Sequence, residues 1–236
     1  MRIVILPTEV EASNFAADLI TEFINNNKNP VVGLATGGSV VMTYEALISK
    51  HQLGQVSFQE TTTFNLDEYL GLAPNHAQSY RSYMNRTLFD HIDIDLSNTY
   101  VPECFDDNFD SACSSYENEI NKRGGIGLQL LGVGSNGHIG FNEPTSSFQS
   151  RTRVKTLTKS TLTQNARFFE ASENQPSLAI TMGIGTIMEA ENILLIGLGK
   201  HKSKAVADVI EGPLSAFCPG SILQNHPNVT IVIDKP

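Results

Sequence analysis

Apolar runs and amphipathic segments alternate along almost the whole chain, and that alternation limits the fold more than any single motif. Residues 2–6, 31–35, 126–131, 193–196 and 229–233 are largely apolar, 61–65 are rich in β-branched residues, 153–157 alternate, and 178–182 read as a further strand. Between them Ala12, Phe15, Ala16, Leu19, Ile20 and Phe23 recur at the helical interval over 9–25. Further helices are predicted near 40–50, 79–89, 109–122, 185–190 and 202–210, with Tyr80, Tyr83, Met84, Thr87 and Leu88 on one side of the third. Strands without a polar face must be covered on both sides. The pattern therefore predicts an α/β protein, a mostly parallel sheet with helices on both faces. The 236 residues contain no internal repeat and no linker rich enough to divide them, so one domain over 1–236 is expected. A chain of this size buries roughly 70–75% of its unfolded surface and needs no disulfide or metal to fold.

In such sheets ligands bind outside the carboxyl ends of the strands. Four polar turns leave strands at that end: 36–39, 65–69, 132–143 and 197–202. Each follows a different strand, so they can converge on one pocket. The third is the richest. It packs Gly132, Gly134, Gly137 and Gly140 around His138 and closes with Asn142-Glu143-Pro144. Glycines let a backbone turn sharply and approach a ligand closely. A histidine with a carboxylate five residues on has the parts of an acid–base site. Gly132-x-Gly134-x-x-Gly137 matches the dinucleotide fingerprint only as a string. Helix breakers follow where a helix must open, and no acidic residue occurs between Glu143 and Glu170.

Thr36-Gly37-Gly38-Ser39 lies between a strand and a helix, where backbone N–H groups and two hydroxyls can hold an anion. Ser39 could equally be a plain N-cap. The turn lacks the lysine of a P-loop, which argues against a nucleoside triphosphate. In Asn65-Leu66-Asp67-Glu68-Tyr69 two adjacent carboxylates end a strand. Neighbouring side chains on extended backbone point opposite ways, so one can face the pocket and the other the scaffold. A carboxylate in a water-poor pocket suits abstraction of a proton next to a carbonyl.

Charge decides what else can bind. The net charge is −9 with 16 Lys+Arg and no basic block, which argues against nucleic acid. An anionic substrate must then be held by a few local cations. Arg167 and Lys202 are the candidates, with Lys200 and Lys204 competing. Cys104, Cys113 and Cys218 have no C-x-x-C spacing, which suggests a reducing, cytoplasmic setting. No H-x-x-x-H pair occurs, and no metal is expected. No signal peptide and no apolar run near 18 residues is evident, so no membrane partner is expected.

Taken together, Leu34-Ala35-Thr36-Gly37-Gly38-Ser39, Phe64-Asn65-Leu66-Asp67-Glu68-Tyr69 and the segment from Gly134 to Pro144 resemble the glucosamine-6-phosphate deaminase family in wording and order. The segment from Ser150 to Thr158 and the helix ending in Glu211-Gly212 extend the similarity. The Thr-Gly-Gly-Ser turn alone is shared more widely, including with 6-phosphogluconolactonases. The resemblance implies a Rossmann-like domain, no cofactor, and conversion of glucosamine 6-phosphate and water to fructose 6-phosphate and ammonia. It implies Asp67 as the base at C2, His138 as the ring-opening group and Glu143 as its orienting or charge-tuning partner. It also implies a phosphate seat on Thr36, Gly37, Gly38, Ser39, Arg167 and Lys202, and a lid over 159–175. Two departures stand out. Asn136 occupies a place where many long members have Asp; an amide fixes a ring through a hydrogen bond but adds no charge. The hexameric, allosterically activated members are longer, so Arg153 and Lys155, which match their activator-binding residues, are expected to be ordinary strand residues here. Oligomeric state is left open. The alternatives on the same fold are a 6-phosphogluconolactonase and a non-catalytic sugar-phosphate sensor.

Overall fold

A computed structural model of the chain describes residues 1–103, 108–158, 161–163 and 175–235. Its strands are β1 (Arg2–Leu6), β2 (Val31–Leu34), β3 (Thr62–Asn65), β4 (Asp67–Tyr69), β5 (Thr99–Tyr100), β6 (Leu128–Gly132), β7 (Arg153–Thr156), β8 (Leu178–Thr181), β9 (Asn192–Gly197) and β10 (Val229–Asp234). The α-helices are α1 (Glu9–Asn26), α2 (Val41–Gln52), α3 (Tyr80–Thr87), α4 (Phe109–Lys122), α5 (Ile184–Met188) and α6 (Ser203–Ile210). Seven strands form one sheet in the order β1-β10-β9-β6-β2-β3-β5, and every neighbouring pair is parallel. β4, β8 and β7 form a small antiparallel sheet.

The apolar runs explain the sheet. Val32, Leu34, Leu130, Leu131, Leu195, Ile196, Ile231 and Val232 are all buried on its central strands. Each such side chain contributes about 1.5–3 kcal/mol when fully removed from water. α1 and α2 pack against each other. α1 starts at an N-cap, Thr8, whose hydroxyl accepts from Glu11 N–H at 3.2 Å and donates to the Glu11 carboxylate at 2.9 Å. Among the described residues no helix is long and apolar enough to cross a membrane.

The strand order positions the site. From β2 the chain steps outward to β3 and β5; from β6 it steps the other way, to β9 and β10. The connections leaving β2 and β6 therefore diverge and open a crevice at their carboxyl ends. Three features differ from the sequence reading. Residues 67–69 form a strand rather than a loop, paired Asp67↔Thr181, Glu68↔Ile180 and Tyr69↔Ala179. Two residues form β5 before Pro102. Both elements are too short to show a period, and both exist because distant strands supply their hydrogen bonds. A 3₁₀ turn at Gly38–Val40 precedes α2. The lid expected over 159–175, apart from 161–163 and 175, lies outside the described residues.

Candidate active site

The crevice holds a cleft of about 190 Å³ whose lining includes the 36–39 turn, Asp67, Tyr80, His138, Thr161 and Lys202. All four strand-end turns contribute to it, as their placement after separate strands allows. A larger open groove, about 580 Å³, lies at the amino ends of β6, β9 and β10, and among the described residues its charged side chains are Arg2 and Glu22.

Asp67 and Glu68 separate as extended backbone demands. Asp67 faces the cleft and is only 5% exposed. Burial, then the nearby Glu68 carboxylate, raise its pKa; the Phe141 N–H donated to it offsets part of this, and the result is about 8. A Cβ at Gly140 would lie 3.4 Å from Asp67 Oδ2, so the 140 turn borders the carboxylate at van der Waals range. Glu68 faces the scaffold. It accepts from Tyr69 N–H at 2.8 Å, Tyr80 N–H at 2.9 Å and Arg81 N–H at 3.0 Å, so it holds the free amides that start α3.

His138 lines the same cleft. The 134–138 turn closes with Gly137 N–H on Gly134 O and Gly134 N–H on His138 O, each at 2.9 Å. Gly137 has φ +79°, which favours glycine. His138 Nδ1 is 3.5 Å from Glu143 Oε2, within ion-pair reach and longer than an ordinary hydrogen bond. Asn136 Nδ2 donates to the same oxygen at 2.8 Å, and Asn136 Oδ1 accepts from His138 N–H at 3.2 Å. Asn136 thus acts on the carboxylate and the backbone rather than on the ring, contrary to the expectation that it fixes the ring directly. Burial alone would raise the pKa of Glu143. Its contact with His138 and that residue's charge, then Thr161 and Asn136, outweigh burial and bring it down to about 2.

Thr36, Gly37, Gly38, Ser39 and Lys202, the described residues among those expected to hold phosphate, line the same cleft. Gly37 has φ +99° and opens the 3₁₀ turn. The cap positions, Gly37 and Val40, make no side-chain cap bond, so Ser39 is not the N-cap. Ser39 lines the cleft. Of the three lysines, Lys204 is exposed and bound to Asp208 at 2.6 Å, and Lys200 is exposed. Lys202 alone among them lines the cleft, where burial lowers its pKa. Arg167 lies outside the described residues. Tyr80 was read only as helix core. Its ring lines the cleft and its hydroxyl bonds Tyr69 and Thr36, which joins the 36–39 turn to the Asp67 wall.

A family model described as glucosamine-6-phosphate isomerases/6-phosphogluconolactonase matches residues 9–232. The chain belongs to this family. A glucosamine-6-phosphate deaminase of Shewanella woodyi is 52% identical over 235 residues, spanning 100% of this chain and 89% of that protein. One from a Marinomonas species is 52% identical over 238 residues, spanning 100% and 90%. The solved structure of a monomeric glucosamine-6-phosphate deaminase superposes with a TM-score of 0.97 at 43% identity, covering 100% of this chain and 98% of that one. A 6-phosphogluconolactonase from Trypanosoma cruzi gives 0.79 at 20% identity over 99% and 94%, which shows the shared fold alone. In this member of the glucosamine-6-phosphate isomerase/6-phosphogluconolactonase family, Arg153 and Lys155 lie on β7, which pairs with β8 at the edge of the small sheet among the described residues. Burial lowers the pKa of both. The residues that sequence reasoning passed over are Tyr80, Thr158 and Thr161. Tyr80 carried the signal of a core position, and the two threonines sat in a polar stretch with no period.

Proposed function

We propose that the chain converts glucosamine 6-phosphate and water to fructose 6-phosphate and ammonia. The observation that carries this is a buried carboxylate, Asp67, and a carboxylate-backed imidazole, His138, lining one cleft beside an anion-binding turn and Lys202. Aldose–ketose rearrangement requires two proton-transfer stations, one at the C1–C2 pair and one at the ring oxygen. Asp67 takes the proton from C2 and returns it at C1. His138 moves the ring-oxygen proton and opens the pyranose. Glu143, 3.5 Å from Nδ1, holds His138 in place. Water then adds at C2 of the resulting imine and ammonia leaves. Thr36, Gly37, Gly38, Ser39 and Lys202, with Arg167, hold the phosphate. A cationic substrate amine beside Asp67 stabilises the carboxylate form that burial disfavours. Lactone hydrolysis would leave Asp67 without a task, so the deaminase reading is favoured.

The direct test is release of ammonia and fructose 6-phosphate from glucosamine 6-phosphate by purified, folded protein without added cofactor. Absence of turnover rejects the proposal. Lys202→Ala is expected to raise KM about tenfold to a hundredfold, as for loss of a hydrogen bond to a charged group, with kcat within a few-fold. Inhibition by inorganic phosphate should weaken by the same factor. If KM and phosphate inhibition are both unchanged, the phosphate lies elsewhere.

A further inference from the structure

Glu143 is gripped at both oxygens, and half of that grip comes from residues that no motif marks. Oε2 receives Asn136 and faces His138. Oε1 receives the Thr161 hydroxyl, with the Thr158 hydroxyl 3.2 Å away. The chain builds this pair locally. Thr161 N–H donates to Thr158 Oγ1 at 3.3 Å and Leu162 N–H to Thr158 O at 2.9 Å, so Thr158 caps a turn that carries Thr161 inward. Thr161 is 5% exposed, and the two hydroxyl oxygens are 3.1 Å apart. Each hydroxyl has a single proton. Thr161 directs its proton to Glu143, and Thr158 supports it from behind.

A carboxylate bound on one oxygen alone can rotate about its last torsion; one bound on both cannot. We propose that Thr161 is a positioning residue for proton transfer, locking the Glu143 carboxylate in the orientation that presents Oε2 to His138. The inference rests on the role given above to His138. The charged groups that face Glu143 are His138 and, at longer range, Lys155 on β7. Neither is altered by changing a threonine, so a variant at 161 tests orientation without changing charge. Thr161 also lines the cleft, and direct contact with substrate is the competing role.

The experiment is a double-mutant cycle of Thr161→Val and Glu143→Gln, with Thr161→Ser as the conservative control and the His138 ring NMR resonances at fixed pH as a second readout. Thr161→Val is expected to lower kcat about tenfold to a hundredfold with KM within about threefold, and Thr161→Ser to restore kcat to within about threefold of the parent. In the Glu143→Gln background the added Thr161→Val should change kcat by no more than about threefold, because the partner is already lost. The His138 ring resonances in the free protein at fixed pH should move in Thr161→Val and return in Thr161→Ser. An equal loss in both backgrounds, a change confined to KM, or unmoved His138 resonances would overturn the proposal. If the parent itself does not turn over glucosamine 6-phosphate, the functional reading fails, and the His138 resonances still decide the role of Thr161.

Discussion

Asp67→Asn is expected to lower kcat for glucosamine 6-phosphate by about 10²–10⁴, the usual contribution of a positioned acid–base group. The amide keeps the size and most of the hydrogen bonding of the carboxylate. It can still accept from Phe141 N–H beside Gly140. The phosphate turn and Lys202 are untouched, so affinity for a non-reacting substrate analogue should stay within a few-fold. Equal loss of turnover and of analogue binding would make Asp67 a structural residue. The same variant should change stability in the opposite sense. Asp67 has a pKa near 8 in the folded protein against 3.8 when unfolded. Between those values the folded state binds the proton and the unfolded state has released it, so stability falls as pH rises through that window. The loss approaches about 1.4 kcal/mol per pH unit. Asn has no such term. Asp67→Asn should therefore gain on the parent steadily from about pH 4 to pH 8, as read by thermal or urea unfolding at several pH values. A difference that does not vary with pH would mean that Asp67 is not held protonated by burial. A residue that weakens the fold at the pH where it works is the expected mark of a functional site.

The sequence made one side of this site legible and hid the other. Asp67 and Glu68 could be given opposite directions from backbone geometry alone, because adjacent residues on a strand must diverge. What Glu68 does there could not be read, since the amides it accepts from, at Tyr80 and Arg81, begin a helix several turns of chain away. Lys202 was one of three candidates. Only the fold separates them, by pairing Lys204 with Asp208 and leaving Lys200 in solvent. The parallel sheet followed from strands apolar on both faces, whereas β4 and β5 owe their existence to partners rather than to their own residues. Thr161 was hidden for the same reason. A hydroxyl carries no pattern, and its importance comes from the carboxylate it meets 18 residues away in sequence.

Gly134→Ala is expected to abolish most turnover, by about 10² or more, while leaving thermal stability nearly unchanged. A Cβ at this position would fall 2.2 Å from His138 Cε1 and 2.3 Å from Nδ1. The imidazole rests directly on the Gly134 backbone. The His138 side chain is 20% exposed, so the ring can swing toward solvent at little cost to the fold. It cannot do so and keep its place against Glu143. Gly137→Ala makes the contrast. There the Cβ would meet Cys218 Sγ at 2.5 Å on a backbone with φ +79°, so both packing and conformation are disturbed and stability should fall together with activity. Calorimetry and steady-state kinetics on the two variants separate the cases. If Gly134→Ala unfolds as readily as Gly137→Ala, its glycine serves the turn. If it stays folded and inactive, as the contact distances require, that glycine is there to give the histidine its seat.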